Sequence, residues 1–271
     1  MKPFGVVPPG PMLWAGPGGF VPSARPPAGG PRVADSWLVD EGRCRGVGEH
    51  RARFVRSVRR VSAPTADDAV RWETADRFVD DVLHALPRTG RWFPRISWDE
   101  GEFTLWVRPA PELRHEVAVW VTDGPDPRED PWIKGPDLPR MQALRDRAAA
   151  TGAGEALLRD DDGCVREGAL SALLWWRGDV LCCPPEGPDL LPSVTRRLLL
   201  DNAARQGVRV CFERVPVTEL DGLEVWSVSA LHGIRAVTAW TGDEALTPRP
   251  GPARRAPRWQ AALEDLAVPL P

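Results

Sequence analysis

The chain has 271 residues, 42% of them hydrophobic, with 35 basic and 38 acidic side chains and a formal charge of −3. That balance gives no nucleic-acid signature, and no stretch of about 18 apolar residues offers a membrane span. We expect a cytoplasmic protein from the missing apolar leader and from an odd count of five cysteines without CxxC spacing, and we expect no metal site from four scattered histidines.

Residues 1–33, which begin a stretch holding nine Pro and seven Gly through residue 34, are expected to form a disordered tail. From Ala34 the text becomes strand-like: Asp35–Asp40, a Glu41-Gly42 turn, then Arg43–Val47, leading into an Arg-rich helix, Glu49–Arg60. A second helix, Thr65–Leu86, opens on a capping-box-like Thr65 and Asp68. It carries an inward stripe of Val70, Phe78, Val79, Val82 and Leu86. Trp92–Trp98 and Phe103–Arg108 alternate as a hairpin around Asp99-Glu100-Gly101, and Glu116–Thr122 adds another strand. The Pro- and charge-rich text 123–131 marks a boundary, giving a small N-terminal α+β domain over 34–124, a linker over 125–133 and a larger domain over 134–271.

Only Lys2 and Lys134 are lysines, so Lys134 stands out in a chain that uses Arg wherever a surface merely needs charge. A poorly solvated lysine amine can be lowered into the range where it attacks carbonyls, which Arg cannot do. A helical segment then runs through Leu138, Met141 and Leu144 to Gly152 or Gly154. The run Glu155–Leu158 follows, then an Asp-Gly turn at 160–163 that aims Glu167 inward, and strands Ala169–Trp176 and Val180–Cys183. Ser193-Val194-Thr195 opens a helix, Arg196–Gln206, whose start suits an anion. Val208–Val217 is a strand-pair candidate, and Glu224–Val228 and Ile234–Trp240 are further ones.

The ordered set of Lys134, then EALL-x-D-x-DG-x-V-x-EG, then LLP-x-VTR resembles the class IV fold type of pyridoxal-phosphate enzymes. That family includes branched-chain and D-amino-acid aminotransferases and aminodeoxychorismate lyase. The resemblance implies two domains, a smaller N-terminal α/β sandwich and a larger C-terminal domain with a strand-rich pseudo-barrel. It also implies pyridoxal 5′-phosphate as cofactor, held in an interdomain cleft, and a homodimer.

By this resemblance Lys134 forms the Schiff base, Glu167 pairs with the pyridinium nitrogen, and Val194 and Thr195 hold the phosphate. His50-x-x-Arg53-Phe54 matches the family's H-x-x-R helix, whose arginine contacts the phosphate. Phe93-Pro94-Arg95-Ile96 is similar to the aromatic-x-Arg strand, which places Arg95 by the substrate. Ser229 and Ala230 occupy the second phosphate loop, where the hydroxyl is displaced by one position. Ala172 replaces the usual asparagine, and Trp37, Phe93 and Trp98 are candidates to replace the absent tyrosines of the pocket. The activity implied is amino transfer between an amino acid and a 2-oxo acid. The alternatives are a lyase that releases pyruvate on the 4-aminobenzoate route, and a decayed enzyme that only binds.

Overall fold

The computed structural model describes residues 10–23, 30–62 and 68–271, without the side chains of 68–71. The proposed Thr65–Asp68 cap and the Val70 side chain lie outside the described residues. So do residues 1–9 and 24–29 of the expected tail.

The chain divides into two compact units, and the division departs from the expected boundaries. The first takes the described residues through Glu112, together with Ile133–Pro136 and Leu266–Pro271; the second takes Leu113–Trp132 and Asp137–Asp265. Lys134 therefore belongs to the first unit, although the sequence suggested the second.

The first unit contains β1 (Gly10–Gly16), β2 (Gly19–Pro22), β3 (Val33–Ser36), β4 (Val39–Asp40), β5 (Arg43–Arg45), α1 (Val47–Val61), α2 (Asp68–Ala85), β6 (Arg91–Trp92), β7 (Arg95–Asp99) and β8 (Glu102–Val107). Its main sheet has the order β2-β1-β8-β7-β3. Part of the expected disordered tail is thus a hairpin. Met12 pairs with Leu105, and the Trp14 ring meets Phe78 and Phe103 edge-on at 5.8 and 5.7 Å. The Trp14 indole N–H donates to Asp81 at 2.8 Å. Two large apolar side chains and one satisfied polar handle offset the ordering cost of a Gly-rich segment.

α1 buries His50, Arg53, Phe54, Ser57 and Val58, the i, i+3, i+4 spacing of a single helix face. α2 buries Phe78, Val79, Val82 and Leu83. The α1 face carries three polar side chains, His50, Arg53 and Ser57, into the interior, and each needs a partner there.

The second unit contains β9 (Glu116–Val121), α3 (Leu138–Ala150), β10 (Glu155–Arg159), β11 (Val165–Gly168), β12 (Ala172–Arg177), β13 (Val180–Cys183), α4 (Val194–Arg205), β14 (Arg209–Phe212), β15 (Val225–Ser229), β16 (Gly233–Thr241) and α5 (Ala256–Glu264). Eight strands form one sheet in the order β11-β10-β9-β16-β15-β12-β13-β14, a curled half-barrel. The register mixes parallel pairs, β10 with β9 and β16 with β9, with antiparallel hairpins. One face packs Val119, Leu157, Leu173, Trp175, Val225 and Val237 into a common core. The other covers Ala156 and Leu158 with Met141 and Ala148 of α3. The expected pair over Val208–Val217 is a single edge strand, β14, because the chain leaves the sheet after Phe212.

Candidate active site

The residues singled out in the sequence fall into two sets, one on each unit. On the first unit, Lys134 lies in a bend next to β3, where its carbonyl accepts the Ala34 N–H at 2.6 Å. Gly135 makes that approach achievable. A Cβ there would sit 2.5 Å from the Pro31 carbonyl oxygen and 2.8 Å from that of Arg32. The backbone is therefore locked on both sides of the lysine.

Burial is the main force that lowers the Lys134 amine, from 10.5 to about 8, and the charges of Arg53, Arg108 and Arg95 push in the same direction. The charge of Asp35 opposes them. Its carboxylate, fully buried, accepts the His50 ring nitrogen at 2.8 Å, Arg53 Nε at 2.9 Å and Arg53 Nη2 at 2.7 Å. Burial works against that charge, yet the Arg53 and His50 contacts hold it well below the usual carboxylate range. The sequence reading gave Asp35 no role beyond its strand. Its signal lay in the pair of ionisable residues, His50 and Arg53, on the buried face of the helix.

Arg95 opens β7, and its Nε and Nη2 are buried without a hydrogen-bond partner among the described residues. Arg108 follows β8. Its Nε donates to the Phe93 carbonyl at 3.1 Å and its guanidinium lies 5.3 Å from the Phe93 ring. Trp37 is buried, with its ring 5.6 Å from that of His50.

On the second unit, Glu167 pairs with Leu158 across β10 and β11. Burial pushes its carboxyl upward, and Arg128 holds it back. Glu167 Oε1 accepts Arg128 Nη1 at 2.7 Å and the Leu191 N–H at 2.9 Å. Arg128 in turn donates to Asp126, including Nη2 to Oδ2 at 2.6 Å. The stretch expected to be an interdomain linker thus delivers two buried charges to Glu167. Its Pro-rich text concealed them.

The last of these segments is α4, which begins at Val194, two residues earlier than the sequence suggested, with Ser193 as its cap. The Ser193 hydroxyl accepts the Arg196 N–H at 3.3 Å. The first intrahelical bond runs from Arg197 N–H to Ser193 O at 3.1 Å, so the amides of Val194 and Thr195 precede it and point toward the helix start. Ser229 ends β15, and its hydroxyl accepts the His232 N–H at 3.3 Å.

A family model for class IV amino-transferases matches residues 32–240. The chain belongs to the class IV aminotransferases. The family's cofactor is pyridoxal 5′-phosphate. Among solved structures, a hypothetical aminotransferase from Mycobacterium tuberculosis in its PLP-bound form is 20% identical, with a TM-score of 0.70 over 93% of this chain and 98% of that one. The branched-chain aminotransferase of Thermoproteus uzoniensis with norvaline is 16% identical, with a TM-score of 0.76 over 96% and 99%. A putative 4-amino-4-deoxychorismate lyase from Legionella pneumophila is 15% identical, with a TM-score of 0.70 over 88% and 91%. No curated protein matches. These likenesses support the two-part, half-barrel architecture expected from the motifs.

The residues present fit that cofactor. Lys134 offers a neutralisable amine for an aldehyde, Glu167 a buried carboxylate for a ring nitrogen, and the start of α4 free amides for a phosphate. Arg53 meets the phosphate expectation differently, since two of its nitrogens are engaged by Asp35.

Proposed function

We propose that the chain exchanges an amino group between an amino acid and a 2-oxo acid through a Schiff base on Lys134. The observation that carries this reading is the Lys134 amine, lowered to about 8 beside an arginine whose buried donors lack a partner. An amine in this range is both a nucleophile and a base near neutral pH, and an unpartnered guanidinium suits a substrate carboxylate.

The bound cofactor supplies an electron sink for the pair of electrons left when the substrate loses its α proton. Lys134 would hold the cofactor through its aldehyde, and its amine would carry that proton. Arg128 favours the ionised form of Glu167 against the effect of burial, and that carboxylate would pair with the ring nitrogen. Val194 and Thr195 present backbone N–H groups to the phosphate, with Ser229 and Ala230 at the second loop. Arg53, held rigid by Asp35, contributes positive charge to the same anion. Arg95 orients the substrate carboxylate, and Trp37 lines the apolar side through its contact with His50. By family resemblance the working form is a homodimer.

Ser229-Ala230-Leu231 favours a second reading, the lyase that releases pyruvate, because the lyases carry an Asn-Ala-Leu-like text there. Incubating the PLP-loaded protein with amino acid and 2-oxo acid pairs, and separately with aminodeoxychorismate, distinguishes them. Appearance of the new amino acid supports transfer. Pyruvate release without exchange supports the lyase, and neither product leaves a chain that only binds.

A further inference from the structure

We propose that Asp137 is a positioning residue, whose carboxylate closes the base of the loop that carries Lys134 and so keeps that amine poorly solvated. This rests on the reading of Lys134 as the reactive amine and adds the group that holds it in place.

Asp137 is the N-cap residue of α3, yet its side chain caps none of that helix's N–H groups. An aspartate at this position ordinarily accepts the N–H of the second or third helical residue. Here the second is Pro139, which has no N–H, and the carboxylate turns back along the chain instead. Its Oδ2 accepts the N–H groups of Glu129 and Asp130, both at 3.1 Å, and its Oδ1 accepts Arg140 Nη1 at 3.1 Å. Arg140 also donates through Nη2 to Glu129 Oε1 at 2.6 Å, a second tie across the same gap. Asp137 is only 5% exposed, so these bonds compensate a carboxylate that burial would otherwise disfavour.

Two successive amides that converge on one oxygen form an anion seat, and Asp137 fills it from within the chain. Glu129, Asp130 and Asp137 belong to the second unit, whereas Ile133–Pro136 between them belong to the first. Residues 131–136 form neither helix nor strand, so no ladder fixes them. The apex of the loop is held by the bond from Ala34 to the Lys134 carbonyl and by the close fit of Gly135. Asp137 supplies the hold at the base. A loop pinned at both places has few conformations left, while one freed at the base lets water reach the amine. Burial is the main force lowering Lys134, so a looser loop returns the amine toward its ordinary value.

The test is the pH profile of amine labelling at Lys134 in the cofactor-free full chain, read by peptide mass spectrometry against the wild-type midpoint of about 8. D137S keeps a favoured N-cap residue for α3 but is too short to reach Glu129 and Asp130. D137N keeps an oxygen for those two N–H groups and removes the charge. Both variants leave Arg53, Arg95, Arg108 and Asp35, whose charges act on Lys134, in place. D137S is expected to raise the midpoint by about half a pH unit or more and to weaken PLP retention about tenfold, whereas D137N stays near wild type in both. Amide hydrogen exchange of the wild type adds a readout that needs no variant: Glu129 and Asp130 should be protected although they lie in no helix or strand. Thermal melts establish that each variant is folded, and if D137S is not, the exchange measurement decides. Unprotected amides at both positions would overturn the clasp, as would an unchanged midpoint in folded D137S or a D137N shift as large as that of D137S. A shifted D137S midpoint with no PLP adduct on wild-type Lys134 keeps the clasp and sinks the Schiff-base reading. An adduct with an unshifted D137S midpoint sinks the clasp alone.

Discussion

Replacing Lys134 with methionine should stabilise the cofactor-free protein at neutral pH. In the folded chain the amine titrates at about 8, against 10.5 for the ordinary side chain. At pH 7 the unfolded state therefore binds the proton more tightly, and the folded state carries a penalty. At about 1.4 kcal/mol per pH unit of difference, this comes to roughly 3–4 kcal/mol before screening. Lys134 is only partly buried by surface area, so solvent screening trims the figure to about 1–3 kcal/mol. The sign follows from proton binding: a lysine with a depressed folded value costs stability below pH 8, and the cost fades as pH rises from 8 toward 10.5. Urea denaturation of wild type and K134M at pH 7, 9 and 10.5 reads both terms. The expected result is a variant more stable at pH 7 whose advantage shrinks as pH rises. A constant difference across this window, or a K134M protein less stable at pH 7, would refute the reasoning.

Other substitutions probe the supporting structure. Removing the charge partner in D35N should lower the Lys134 midpoint below about 8, since Asp35 raises it; the pH profile of amine labelling measures this, and an upward shift would contradict the assignment. G135A should lose cofactor loading together with about 1–3 kcal/mol, because the new Cβ collides with two backbone carbonyls. Loss of the α4 cap in S193A should cost about 1 kcal/mol in a thermal melt. With R128M, the Glu167 carboxyl should titrate higher than in wild type, since Arg128 is the strongest influence holding it down; carboxyl NMR titration of the cofactor-free protein checks the direction.

Much of the architecture was legible because its elements obey simple periodicities. α1 and α2 show a helical apolar face, and the β10–β11 hairpin is announced by Asp160 to Gly163, where Gly163 adopts φ 78°. The family was legible from the motifs around Lys134 and Glu167, taken in order along the chain. What escaped was long-range. The Gly10–Pro22 hairpin owes its order to Phe78, Phe103 and Asp81, residues more than sixty positions away. Asp126 and Arg128 sit in text that reads as a linker, and only the return of β11 brings Glu167 to them. The membership of Lys134 in the first unit depends on its pairing with Ala34, one hundred residues earlier. Composition carries no record of such pairings.

The most direct measurement is borohydride reduction of the purified protein incubated with pyridoxal 5′-phosphate, followed by mass spectrometry of its peptides. Our account expects an absorbance band near about 410–430 nm before reduction and a phosphopyridoxyl adduct on Lys134 afterwards. A stable, folded protein that shows no band and carries no adduct on Lys134 would contradict it.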